Sequence, residues 1–241
     1  MTAADASAPT PSPGRLLLAW GVHLFTASGA VIAALALLAI VQQRYVTAGL
    51  LMLAALFIDS VDGTLARRVG VARAVPRIDG RRLDDVVDFL GYAIVPTVFL
   101  LAIGALPHWG LAAVPILASS YGFSQHDAKT EDDFFLGWPS YWNVVALYIW
   151  LLGIGPGLAT AIVSAFALAV FVPLKYIYPS KLRVWRTATT LGALVWGACV
   201  VFALLFPEPA ARVHLLELSL VYPAYYMGLS AWLGGWFRPA R

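Results

Sequence analysis

The chain has 241 residues, 61% of them hydrophobic and only 12% charged, with a formal net charge of +3. A soluble domain carries roughly 25% charged residues, so this chain lacks the polar surface to face water all round. It reads as an all-α integral membrane protein, with no nucleic-acid partner expected. A single cysteine, Cys199, excludes an internal disulfide and any cysteine-based metal site.

Residues 1–14 are rich in Ala, Pro and Ser and have no basic start, which predicts a disordered N-terminal tail and not a cleavable signal. Residues 15–241 are expected to form a single transmembrane catalytic domain. Hydropathy predicts spans near 16–41, 46–66, 84–104, 108–124, 141–153, 157–176, 187–206 and 213–236, about eight in all. With the N-terminus cytoplasmic, the inner side receives Arg15, Arg67, Arg68, Arg73, Arg77, Arg81, Arg82, Lys129, Lys175, Lys181, Arg183, Arg186, Arg238 and Arg241. Only Arg44 and Arg212 fall outside, a bias that the positive-inside rule expects. Both termini are therefore expected on the cytoplasmic side.

The second and third spans are joined by the stretch Asp59–Asp88, DSVDGTLARRVGVARAVPRIDGRRLDDVVD. Asp59 and Asp62 are i,i+3 and Asp84 and Asp88 are i,i+4, so each pair projects from one helix face. One acid near a span end is explained by an interfacial ion pair; four acids in two helical pairs are harder to explain that way. They form a carboxylate box of the kind that hard divalent cations prefer. Two such ions clamp a phosphoryl group for in-line displacement in other enzymes. Gly63 admits a close approach to the helix backbone, Arg67 lies near the same face, and the remaining arginines suit anionic membrane lipids. Asp85 reads as an interfacial partner for arginine and Asp79 as a bystander.

The pattern Asp59-x2-Asp62-Gly63-x2-Ala66-Arg67, then Gly80-x3-Asp84-x3-Asp88, resembles the motif of the CDP-alcohol phosphotransferases at all eight fixed positions. The gap between Arg67 and Gly80 holds twelve residues, more than most of that family has. The long gap, with HLFTASG, RIDGRRLDDVVD and FFLGWPSYWN, resembles the bacterial phosphatidylcholine synthases. The resemblance implies a CDP-alcohol phosphotransferase-like bundle in a bacterial inner membrane, with the site facing the cytoplasm. It implies that Asp59, Asp62, Asp84 and Asp88 hold a divalent metal pair, Mn²⁺ or Mg²⁺, and that Asp88 is also the general base. Asp62, Gly63, Ala66, Arg67, Gly80 and Thr26 would border CDP-diacylglycerol, although Thr26 reads equally as a buried helix-packing residue. Dimers are usual in the family, so a homodimer is an expectation of the resemblance; no interface reads out of the sequence.

The acceptor is implied to be choline, whose quaternary ammonium suits aromatic faces with a carboxylate nearby. Tyr121, Asp127, Tyr141 and Trp142 flank one cytoplasmic loop and are candidates for it; the aromatics read equally as an interfacial belt. Asn143 is placed to bond either a substrate oxygen or the helix backbone. Two rival readings stand beside this one. A sister enzyme would use serine, glycerol 3-phosphate or an inositol phosphate, and a membrane cation transporter would bind its ion with intramembrane acids.

Overall fold

A computed structural model describes residues 11–182 and 184–237. The expected tail falls mostly on residues 1–10, outside the described residues, as do Arg183, Arg238 and Arg241. Helix α1 (Pro13–Val41) already begins within the expected tail, with Pro13 in its first turn and the Ser12 side chain accepting from the Arg15 amide. Proline suits that position because its missing N–H would be unpaired there anyway. A three-residue connection leads back into α2 (Tyr45–Val69), and Arg15 Nε donates to the Val69 carbonyl at 3.2 Å. The start of α1 thus lies against the end of α2. Gly70 closes α2 in the left-handed conformation, at φ 71°.

The α1 surface is sorted by size. Its buried positions are Ala19, Val22, His23, Thr26, Gly29, Ala33, Ala36, Ala39 and Ile40, whereas Leu17, Leu18, Leu24, Val31, Leu38 and Val41 are exposed. A soluble helix would turn its leucines inward. Small residues inside and large apolar residues outside are what helices in lipid show, because close backbone approach drives their association.

After the short turn α3 (Val71–Ala74), helix α4 (Gly80–Asp88) is capped by Asp79, whose side chain accepts from the amides of Arg81 and Arg82. A wide π-helical turn over Phe89–Ile94 joins α4 to α5 (Val95–Ala102). Pro96, which has no N–H and crowds the carbonyl one turn back, accounts for the widening. The Val95 amide bonds back to Leu90 instead. The three pieces form one rod, Gly80–Ala102.

The rest of the chain is α6 (Ala113–Ser124), α7 (Trp142–Leu151), α8 (Pro156–Val170), α9 (Arg186–Leu205), α10 (Pro207–Arg212), α11 (Leu215–Ser219) and α12 (Val221–Leu233). Two short strands absent from the sequence reading, β1 (Phe134–Leu136) and β2 (Lys175–Ile177), pair antiparallel with Phe135 opposite Tyr176. Trp142, Leu147 and Ile149 of α7 are almost fully buried beside Phe99, Leu100 and Met52, which puts α7 at the centre of the core.

Four described helices are long and apolar enough to cross a membrane: Pro13–Val41, Tyr45–Val69, Gly80–Ala102 and Arg186–Leu205. Trp142–Leu151 and Pro156–Val170 are apolar but shorter. The spans expected at 108–124 and 213–236 are each broken, by a 3₁₀ turn before α6 and by the junction of α11 with α12. The protein is a mostly helical membrane protein, in which length and composition support four crossings among the described residues.

Candidate metal centre

The two acidic pairs meet where the C-terminal half of α2 passes the N-terminal half of the Gly80–Ala102 rod. Asp59, Asp84 and Asp88 bring one carboxylate oxygen each within 4.8 Å of one another. The i,i+4 spacing stacks Asp84 over Asp88 on one side of α4, and the adjacent π turn keeps Tyr92 on the same rod. Tyr92 donates its hydroxyl to Asp59 Oδ2 at 2.7 Å. Asp62 stands beside the trio. It is 4% exposed and accepts from Thr26 Oγ1 at 2.8 Å. A small cavity is lined by Thr26, Asp59, Asp62, Asp88, Gly91 and Tyr92, so Asp62 shares one space with two of the trio, Asp59 and Asp88.

An all-carboxylate set of this kind fits a hard divalent cation and offers nothing to a soft one.

Lys129 closes the site from the loop after α6. Its Nζ lies 3.4 Å from Asp84 Oδ2 and 3.5 Å from Asp85 Oδ1. Burial alone would lower the lysine's pKa, but Tyr178, Asp84, Asp85 and Asp88 outweigh it and hold the ammonium above its usual range. Among the described residues the ion-pair partner of Asp85 is this lysine, not an arginine. The motif residues implied for the nucleotide lie toward the end of α2, at Gly63, Ala66 and Arg67, and at the start of α4, at Gly80. A side chain at Gly80 would meet His23 Cε1 at 3.4 Å, and one at Gly63 would meet Arg67 Nη1 at 3.3 Å. Arg67 turns outward: its Nη2 bonds Thr64 Oγ1 at 3.1 Å, and it lines an open basin of about 540 Å³ with Arg68, Lys181 and Arg186.

Known proteins decide what this arrangement belongs to. The chain is 41% identical over 223 residues to a phosphatidylcholine synthase of Legionella pneumophila, covering 88% of this chain and 87% of that one. It is 35% identical to the phosphatidylcholine synthase of Pseudomonas aeruginosa, covering 91% and 94% respectively. For that of Borreliella burgdorferi the identity is 34%, with 90% and 93% covered. The chain belongs to the phosphatidylcholine synthase family. No family model matches it.

As a phosphatidylcholine synthase family member it is an enzyme, and neither the sister-enzyme reading nor the transporter reading is favoured. The residues singled out for the acceptor are not gathered in one place. Tyr141 is near the acids, its ring 5.9 Å from that of Tyr92 and 5.8 Å from that of Tyr226. Trp142 points into the core, with Nε1 donating to Ser119 Oγ at 2.7 Å and its ring against Trp138. Asn143 is buried and its Oδ1 accepts from the Val144 amide at 2.9 Å. Tyr121 is half-exposed against Phe171, and Asp127 is exposed. Tyr92 and Lys129 were the residues missed. The only signal for Tyr92 is its i+4 spacing from Asp88; Lys129 is 41 residues from Asp88 in sequence and carries none.

Proposed function

We propose that this enzyme transfers the phosphatidyl group of CDP-diacylglycerol to choline, giving phosphatidylcholine and CMP. The observation that carries the reading is the three-carboxylate cluster, built at motif spacing on two helices in a chain that aligns with phosphatidylcholine synthases over most of its length. Asp59, Asp62, Asp84 and Asp88 would hold a pair of divalent cations, Mn²⁺ or Mg²⁺. Such ions supply charge neutralisation at the pyrophosphate oxygens.

The chain's own residues do the rest. Gly63, Ala66, Arg67, Gly80 and Thr26 border the liponucleotide, and Thr26 holds the Asp62 carboxylate in place. The choline oxygen attacks the phosphorus that bears the diacylglycerol, the bond from that phosphorus to the CMP oxygen breaks, and CMP leaves. Asp88 takes the hydroxyl proton as the new P–O bond forms. The acyl chains stay in the bilayer throughout. Tyr141, packed between Tyr92 and Tyr226, offers the trimethylammonium group an aromatic face; Trp142 and Asn143, buried behind it, support that face from the core, and Tyr121 and Asp127 lie further out. The shorter helices are read as additional crossings, about eight in total. Both termini and the site then face the cytoplasm of a bacterial inner membrane.

The test is CMP release from CDP-diacylglycerol by purified protein with Mn²⁺ and one alcohol at a time. Release that requires choline is the expected result. Release with serine or glycerol 3-phosphate and no choline sinks the acceptor assignment, and absence of release with every alcohol sinks the reaction.

A further inference from the structure

Lys129 belongs to no fixed position of the motif, yet it is the cation that touches the acid cluster among the described residues. Its approach is built, not incidental. The loop 125–136 folds back on itself through the Leu136 amide to the Ala128 carbonyl at 3.0 Å, and through Thr130, whose amide donates to the Phe134 carbonyl at 2.8 Å. The Thr130 hydroxyl oxygen in turn accepts from the Phe134 amide at 3.0 Å. Strand β1 then anchors the loop to β2, and two ion pairs, Lys175–Asp132 at 2.6 Å and Lys181–Asp133 at 2.9 Å, fasten its tip. The lysine side chain is 23% exposed, beside Asp84 at 22% and Asp85 at 30%, so it stands at the mouth of the site and not beneath it. An ammonium has three N–H donors. Two carboxylates do not exhaust them.

Arg67 does not fill this role, since its guanidinium bonds Thr64 and faces the outer basin. Asp84 therefore faces two claims on its charge: the lysine 3.4 Å away and any cation held with Asp59 and Asp88.

We infer that Lys129 is a substrate-binding residue: its ammonium contacts a pyrophosphate oxygen of the liponucleotide, and it competes with a divalent cation for the Asp84 carboxylate. This rests on the reaction proposed above. A residue that merely stabilised the fold would, when removed, weaken both cation and nucleotide binding. A competing counter-charge moves them in opposite directions.

The experiment uses full-length protein in detergent, with Lys129→Met and Lys129→Arg. Mn²⁺ binding is followed by electron paramagnetic resonance without nucleotide, and KM is measured separately for CDP-diacylglycerol and choline. Lys129→Met is expected to bind Mn²⁺ roughly 5- to 10-fold tighter, the scale of one removed charge at a partly exposed site. Its KM for CDP-diacylglycerol is expected to rise about tenfold, the loss of one charge-assisted contact, with KM for choline unchanged and Lys129→Arg close to the parent. Unchanged or weaker Mn²⁺ binding, or an unchanged KM for CDP-diacylglycerol, overturns the inference. Should Lys129→Met fail to fold, Asp85→Asn loosens one anchor of the ammonium; a smaller rise in the same KM supports the inference and no rise overturns it. A parent that releases no CMP refutes the proposed reaction, and the Mn²⁺ measurement, which needs no turnover, still decides the competition.

Discussion

Tyr92 donates to Asp59 at 2.7 Å from the same rod that carries Asp84 and Asp88, so one helix supplies two acids and orients the third. The π turn makes this possible, because it begins directly after Asp88 and resets the direction of the residues that follow. Groups that orient a metal-binding side chain typically matter by about 10- to 100-fold in affinity or activity. Tyr92→Phe keeps the ring and removes the donor, so Mn²⁺ affinity and CMP release should both fall within that range while the thermal midpoint changes little. Wild-type Mn²⁺ affinity in this variant would show that the hydroxyl does not position Asp59.

Thr26 and Asp62 form a second buried pair, at 2.8 Å across α1 and α2. Removing a donor from a buried charged acceptor costs about 1–3 kcal/mol, more where the charge has no other partner. Thr26→Val should therefore lower stability by that order and weaken CDP-diacylglycerol binding, whereas Thr26→Ser should behave like the parent. Thermal unfolding in detergent together with KM separates the two effects.

Much of this site is legible in the amino-acid sequence. Helical periodicity alone puts Asp59 with Asp62 and Asp84 with Asp88, since i,i+3 and i,i+4 neighbours share a face whatever the tertiary fold. What periodicity cannot carry is the meeting of separate segments. The partners of Thr26 and Asp85 depend on how α1 and the loop after α6 pack, and Tyr92 depends on a local change of helical pitch. The aromatics at 134–142 show the opposite failure. They are adjacent in sequence and read as one cluster, yet the strand and the helix start send Phe135 to Tyr178, Tyr141 to Tyr92, and Trp142 to Ser119.

Asp88 and Asp84 lie one helical turn apart, but they are expected to fail differently. Asp88→Asn keeps the shape and one oxygen ligand and removes the base, so turnover should be abolished while nucleotide binding largely survives. Asp84→Ala removes a ligand outright, so Mn²⁺ binding should be lost together with turnover. Loss of nucleotide binding in Asp88→Asn would make that residue chiefly a metal ligand.

One of the ties that fasten the loop around Lys129, the Lys175–Asp132 pair, titrates in acid. The hydrogen bond from Lys175 holds the Asp132 carboxyl below its usual range. A depressed folded-state pKa means that this contact stabilises above the unfolded value, about 3.9, and is lost as pH falls through the lower folded value. Its contribution should be flat around neutrality and disappear in acid. The pair is partly exposed, so the effect is small and salt-sensitive. Asp132→Asn should flatten the acid limb of the thermal midpoint plotted against pH, with no change at pH 7 beyond the loss of that one tie.

Gly29 sets the distance between α1 and α4, and through it the geometry of the acids. A side chain at Gly29 would put its first carbon 2.6 Å from Val87 Cγ1, between Val86 and Asp88 on the helix that carries two of the three clustered carboxylates. That separation is too short for carbon against carbon, so α4 must shift or Val87 must turn. Overpacking of this kind costs about 1–3 kcal/mol. The shift would also move Asp84 and Asp88 relative to Asp59, which α2 holds independently. Gly29→Ala is therefore expected to lower CMP release more than its modest loss of stability explains. Val87→Ala in the same chain frees the space that the new methyl group needs. The double variant should regain most of the activity, and a double variant as inactive as Gly29→Ala alone would show that the contact with Val87 is not what couples this glycine to the site.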